Sequence, residues 1–336
     1  MSTTSQEVRL GSRPHGWPTL ENFTLARVEL PPLKKGQALV RNTYMSVDPY
    51  MRGRMNDVPS YVPPFQVGQV LEGGAVGEVI ESNESALQRG DIVTSNRGWR
   101  EAFVATPDEL QRVEQPMQPT SLYLGVLGMP GLTAWAGLRL VDVKKGDCIF
   151  ISAAAGAVGS VAGQLAKLRG CRAIGSVGSS EKVKLLTHEL GFDAAFNYHD
   201  GNTTAQLQKA APDGIDVYFD LVGGEQLEAA LTVMRMHGRI IACGAIAQYN
   251  ETTAPAGPRN LALMIGKRLT MKGMIAGDWF GSLSEFRKEV GGDVVEGKLK
   301  SKETVRDGLA AAPQAFLDMM HGGNIGKMIV KLGGAQ

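Results

Sequence analysis

Apolar residues follow two different rhythms along the chain. Up to about residue 120 they come in short runs, 37–41, 74–81, 91–95 and 101–105, punctuated by Gly and Pro. That is the pattern of short strands in a β-barrel-like or sandwich-like unit. From Ser121 onward apolar runs alternate with amphipathic stretches, as in βαβ units around a parallel sheet. The strands predicted there are 148–152, 172–177, 194–197, 217–221 and 239–243, with helices over 158–169, 181–190 and 224–234. Five strands with their crossovers make most of a doubly wound domain. Past residue 300, 304–320 reads as a helix and 327–332 as a strand, a tail able to return to the first domain. The pattern holds no internal repeat and no low-complexity tract.

Composition adds mainly exclusions. A chain of 336 residues, 43% hydrophobic and 21% charged, is long enough for two packed domains. Its 35 basic and 34 acidic residues are interspersed, which leaves no electrostatic footprint for nucleic acid. The N-terminal MSTTSQEVRL lacks a basic segment followed by an apolar run, and no stretch reaches the roughly 18 apolar residues of a membrane span. A cytoplasmic protein is expected. Cys148, Cys171 and Cys243 are far apart and never form a CxxC pair, so neither a disulfide framework nor a structural zinc site is expected.

The stretch SAAAGAVGSVAGQLAKLRGCRAIGSVGSSEK, 152–182, carries the first chemistry. An apolar strand ends at Ser152 and a helix begins near Gly156, the context in which a glycine fingerprint binds a dinucleotide. Aligned on G-x-G-x-x-G, the run reads Ala154, Ala155, Gly156, Ala157, Val158, Gly159, with alanine in the first position. Gly156 lets the backbone approach the pyrophosphate, and Gly159 allows close packing of helix on strand. At the end of the next strand an NAD enzyme places Asp or Glu against the ribose 2′-hydroxyl; here the chain reads Gly175, Ser176, Val177, Gly178, Ser179, Ser180. Small hydroxyl residues with a nearby cation, Lys182, suit a 2′-phosphate, so NADPH fits better than NADH. Glu181 beside it weighs the other way, and a solvated helix lysine is the alternative reading of Lys182.

Other catalytic systems are missing from the sequence. No tyrosine is followed four residues on by lysine, neither HExxH nor G-x-S-x-G occurs, and the five histidines are scattered. The first 120 residues hold one histidine, His15, and no cysteine, which excludes the ligand set of a catalytic zinc in that domain.

Six segments in order, TYMSVDPYMRGRM (43–55), GVLGMPGLTAWAGL (125–138), AAAGAVGSVAGQLAKLRGC (153–171), FDLVGGE (219–225), CGAIAQYN (243–250) and GGNIGKMIVK (322–331), resemble the zinc-free medium-chain dehydrogenases/reductases. The resembling branch is that of prostaglandin reductases, leukotriene hydroxydehydrogenases and plant double-bond reductases. SRPHGWPTLENF (12–23) and PSYVPPFQVG (59–68) are most similar to the bacterial NADPH-dependent curcumin reductases. The resemblance implies a GroES-like β-rich catalytic domain from 1–122 and 307–336, a Rossmann NADPH-binding domain from 123–306, and a homodimer.

The implied reaction is reduction of a carbon–carbon double bond conjugated to a carbonyl, with hydride to the β-carbon and negative charge building on the carbonyl oxygen. Tyr249 matches the tyrosine to which the family assigns a hydrogen bond to that oxygen, with the nicotinamide ribose hydroxyl as second donor. Read without the resemblance, Tyr249 follows a strand-like run, where a parallel sheet presents its ligand edge, or is a packed loop tyrosine. Carried over residue by residue, Gly156, Ala157, Val158 and Gly159 meet the pyrophosphate. Lys182 and Tyr198 meet the 2′-phosphate, Cys243, Gly244, Ala245 and Ile246 the nicotinamide side, and Asn324 the cofactor from the tail. Tyr198 reads equally as a packed aromatic, and Leu221 stands where relatives often have asparagine. Tyr44, Tyr50 and Tyr61 are candidates for the substrate wall, although SVDPYMRGR also reads as a structural turn held by Asp48 and Arg52. A quinone oxidoreductase and a non-enzymatic NADPH-binding protein of the same fold remain as alternatives.

Overall fold

In the computed structural model, which describes residues 3–333, alternate side chains of the strand Ile215–Asp220 serve two cores. Tyr218 stacks on Phe150 at 5.0 Å, in a cluster with Leu207, Ala229, Leu231 and Ile240 that seats the helices Thr203–Ala210 and Gly224–Val233. Its neighbour Phe219 points the other way, under the helix Met129–Leu140, where a Cβ on Gly137 would lie 2.7 Å from the Phe219 ring. Successive residues of a strand face opposite sides, so a strand with large apolar side chains on both faces must be covered by helices on both. Each such fully buried aromatic contributes roughly 1.5–3 kcal/mol relative to exposure.

The six parallel strands of this sheet run in the order Ala194–Asn197, Arg172–Val177, Cys148–Ile151, Ile215–Asp220, Met234–Ala242, Thr270–Gly273. This is the Rossmann order, and the point where it reverses lies between Cys148–Ile151 and Ile215–Asp220. The unit spans Gly125–Lys302. Its sixth strand, Thr270–Gly273, is largely exposed and has Met271 as its one large apolar side chain, so it carries no apolar run for a sequence reading to detect. Within the predicted helix 181–190 the α-helical part is Ser180–Lys184, and Leu185–Glu189 continues as a wider turn.

The second unit, Met1–Leu124 with Glu303–Gln336, is β-rich and GroES-like. Its main sheet orders Glu303–Asp307, Lys327–Lys331, Ala38–Ser46, Ala75–Ser82, Ile92–Ser95 and Gln111–Arg112, and Ala102–Ala105 also pairs with Ala38–Ser46. Val40, Val79, Val93 and Phe103 form its core. A separate hairpin of Thr4–Leu10 and Phe23–Glu29 was not marked by the apolar pattern. The predicted helix 304–320 is corrected: its first part is the strand Glu303–Asp307, paired in parallel with Lys327–Lys331, and only Ala312–Met320 is α-helical. Thr304 and Val305 are β-branched, and Gly308 at φ +81° ends the strand. The chain therefore crosses between units at 124/125 and 302/303, where the sequence reading places 122/123 and 306/307. No helix among the described residues is long and apolar enough to cross a membrane.

Candidate functional site

Where the strand order reverses, the turn after Cys148–Ile151 solves the problem of its missing first glycine. Ala153 carries the left-handed conformation, φ +46°, and its carbonyl accepts from Gly156 N at 2.9 Å. Ala154 is fully buried, and its Cβ lies 2.7 Å from where Gly175 would carry one. The bare Gly175 on the next strand is what makes room for the alanine. Gly156 caps the helix Ala157–Leu168 without a side-chain acceptor, and the first turn holds no acid. The N–H groups of Ala157, Val158 and Gly159 begin a helix, where backbone donors and the helix dipole receive phosphate. At Gly159 a Cβ would stand 2.6 Å from Ala153 O and 2.8 Å from Ala154 Cα, so only glycine lets the helix start this close to the turn.

The neighbouring strand Arg172–Val177 ends in small residues as expected. A Cβ on Gly178 would lie 3.2 Å from Tyr198 Oη, which places the Tyr198 phenol beside that strand end. Ser179 accepts from Lys182 N at 3.3 Å and starts the short helix bearing Lys182. Burial holds the half-buried Lys182 ammonium below its ordinary pKa. Gly178, Ser179, Lys182 and Tyr198 thus share one locale, without a carboxylate at the strand end.

Across the reversal point lies a buried polar network that the motif reading missed. Asp220 Oδ1 accepts from Tyr218 Oη at 2.8 Å, Val222 N at 3.0 Å and Gly223 N at 2.7 Å. Ser152 Oγ lies 3.0 Å from Tyr218 Oη and accepts from Leu221 N at 3.0 Å. Burial raises the Asp220 carboxyl above the usual range, opposed by the donors around it. The network ties the ends of the two central strands together, and its signal in sequence was an acid closing an apolar run before a glycine turn. Leu221 enters this network through its backbone N–H.

The loop after Met234–Ala242 is laced to the same place. Cys243 N and Gly244 N both donate to Asp220 O at 3.0 Å, and Ala247 N donates to Val222 O at 3.1 Å. Ile246 opens a single 3-10 turn, after which Tyr249 folds back so that its Oη accepts from Ala245 N at 3.3 Å. A phenol carries both an acceptor oxygen and an O–H donor. Cys243, Gly244, Ala245 and Tyr249 line one cavity of about 520 Å³, walled on its apolar side by Leu227 and Met274. Burial, reinforced by Asp220, pushes the Cys243 thiol up to about 12, so it stays protonated.

In the β-rich unit, Tyr50 begins the short helix Tyr50–Arg54, where burial and Asp48 push its phenol well above the ordinary value. Arg52 donates to Asn56 Oδ1 and Gly16 O, both at 2.8 Å, contacts of the kind the structural reading of SVDPYMRGR assigns to it. Tyr61 is 63% exposed, and Tyr44 is half-buried on the strand Ala38–Ser46. Asn324 Nδ2 is engaged by Gly326 O at 2.7 Å.

Residues 6–113 match a family described as the N-terminal domain of oxidoreductase, and residues 157–290 one described as zinc-binding dehydrogenase. Over 331 residues the chain is 42% identical to the NADPH-dependent curcumin reductase of Escherichia coli strain K12, covering 97% of this chain and 96% of that protein. The chain belongs to the medium-chain dehydrogenase/reductase family. It is also 41% identical to the NADP(+)-dependent 2-alkenal reductase of Nicotiana tabacum, covering 97% of each. The crystal structure of CurA from Vibrio vulnificus in complex with NADPH superposes with a TM-score of 0.94 at 38% identity, over 98% of this chain and 100% of that one. One family description names zinc, and the donor set here does not fit it: the described residues contain no group of three or more His, Cys, Asp or Glu able to hold a metal.

Proposed function

We propose that the protein is an NADPH-dependent reductase of the carbon–carbon double bond of α,β-unsaturated ketones and aldehydes. The observation that carries this is Tyr249, whose phenol is held over a largely apolar cavity on the ligand-binding edge of a Rossmann sheet. The curated relatives named for curcumin and 2-alkenal reduction, and the NADPH complex of the Vibrio vulnificus protein, support the same reaction and cofactor.

Bound NADPH supplies a hydride to the β-carbon of the substrate. As negative charge moves to the carbonyl oxygen, Tyr249 donates a hydrogen bond to it, and the α-carbon then takes a proton from water to give the saturated ketone or aldehyde. A donor fixed in place before charge develops needs no reorganisation, which is why such groups lower barriers strongly. Ala157, Val158 and Gly159 offer backbone N–H groups to the pyrophosphate across the bare edge left by Gly156. Lys182 and Tyr198 receive the 2′-phosphate, Cys243 to Ile246 form the nicotinamide side, and Asn324 is assigned to the cofactor from the tail. Tyr44, Tyr50 and Tyr61 form the substrate wall of the catalytic domain. No step uses a metal.

The three free thiols fit a reducing cytoplasm. A homodimer is part of the same reading, supported by the exposed edge strand Thr270–Gly273 and by Ile265, 81% exposed, on the helix before it. Light scattering on a sizing column tests it; a monomer mass counts against it.

Purified protein mixed with NADPH and separate panels of enones, enals and quinones, followed at the reduced cofactor's absorbance band, tests the function. Enone-dependent oxidation is expected. Oxidation with quinones alone makes the protein a quinone reductase, and binding without oxidation makes it a carrier.

A further inference from the structure

A lysine buried in the β-rich unit has no part in the chemistry described so far. Lys327 is 3% exposed, and its ammonium donates to Val47 O at 2.7 Å and Met328 O at 2.9 Å, with Asp48 Oδ1 at 3.1 Å. The other Asp48 oxygen is held by the Ser46 hydroxyl. Glu303 stands opposite Lys327 in the register of the two parallel strands, with one carboxylate oxygen on Ser121 Oγ at 2.8 Å and the other buried without a hydrogen-bond partner. An apolar side chain would fill the position on Lys327–Lys331 without desolvating a charge, so a buried ion pair is weak evidence for stability as its purpose. What the ammonium does is local. It grips the backbone and side chain of Val47 and Asp48, immediately before Pro49 and Tyr50, from a strand that begins three residues after Asn324.

We infer that Lys327 is a positioning residue for the reduction: by holding the Val47 carbonyl and the Asp48 carboxylate it fixes the turn that presents Tyr50 and joins that turn to the segment bearing Asn324. The role rests on the reading of Tyr50 as substrate wall given above. On the far side of the same turn Arg52 holds Gly16 O and Asn56, so the turn is restrained from two directions.

The test is Lys327→Met alone and with Asp48→Asn, which removes both members of the ion pair so that neither is left facing an empty partner, while Val47 O, Met328 O and the Glu303 carboxylate lose the ammonium. Folding is checked by thermal melting, and the Michaelis constants for an enone and for NADPH are measured beside the turnover number. The doubly neutral variant is expected to stay folded with a lowered melting temperature, and to raise the enone constant by about ten-fold, with turnover changed less than about three-fold. In a Tyr50→Ala background the same pair of changes is expected to add less than about three-fold, because both act on one contact. A wild-type enone constant in the folded double variant, or a rise that is the same with and without Tyr50, overturns the role. Wild-type protein inactive on every enone would instead overturn the proposed function, so the two failures are distinct.

Discussion

Gly159→Ala asks whether the helix start at the reversal point is built around a bound phosphate. The added Cβ would stand 2.6 Å from Ala153 O, 2.8 Å from Ala154 Cα and 3.1 Å from Ala153 C, where ordinary contact begins at 3.4 Å. All three atoms are backbone, and the Ala153 carbonyl is already held by Gly156 N at 2.9 Å, so it cannot swing aside. The helix must instead lift by on the order of 0.5–1 Å, at a cost of about 1–3 kcal/mol. At roughly 2–4 °C per kcal/mol for a unit of this size, the melting temperature falls by about 2–12 °C. The same displacement moves the donors of Ala157 and Val158 away from the pyrophosphate and weakens NADPH by about ten-fold, or 1.4 kcal/mol. Gly163→Ala is the control on the same helix. Its Cβ would meet the Phe192 ring at 1.9 Å, so it destabilises the unit away from the turn. Melting with and without NADPH, and calorimetric titration of the cofactor, read both variants. Gly159→Ala with unchanged NADPH affinity, or Gly163→Ala weakening NADPH equally, would refute the assignment.

Tyr249→Phe is expected to lower turnover with an enone by about 10²–10³-fold, or roughly 2.7–4 kcal/mol, with little change in NADPH affinity; steady-state kinetics and a cofactor titration check both halves. Lys182→Ala raises the Michaelis constant for NADPH far more than that for NADH, and equal effects on the two would remove the lysine from the phosphate. The Cys243 thiol predicts a pH dependence. Its folded pKa is raised to about 12 by burial and Asp220, so above the unfolded thiol's ordinary pKa the unfolded chain loses a proton that the native chain keeps. The stabilisation it provides is whole below that ordinary value and drains away as pH rises toward 12, so Cys243→Ala should flatten the fall in melting temperature from about pH 8 to about pH 10. A wild-type slope in the variant contradicts this.

The residues legible in the sequence were those whose role depends on local pattern. The strands Arg172–Val177 and Ala194–Asn197 have the bounds read from the apolar runs, and the helix Ala157–Leu168 differs from its reading by one residue at each end. What the sequence hid depends on partners far along the chain. Glu303–Asp307 is a strand because Lys327–Lys331 lies beside it, and Thr270–Gly273 pairs with an inner strand although Met271 is its one large apolar side chain. Ala154 looked like a lost glycine, and its tolerance depends on Gly175, twenty-one residues on. Ser152, Tyr218 and Asp220 form one buried network from positions 66 to 69 apart or two apart, a spacing with no periodic signature. Lys327 and Asp48, nearly the whole chain apart, were legible only as an ordinary lysine and a turn aspartate.

The reduction is most directly tested by following the hydride itself. NADPH deuterated at the transferable C4 position is incubated with the protein and an enone, and the product is read by NMR and mass spectrometry. Conjugate reduction places one deuterium on the β-carbon of a saturated ketone. An allylic alcohol with deuterium on its carbinol carbon, or cofactor oxidised with the double bond intact, contradicts it.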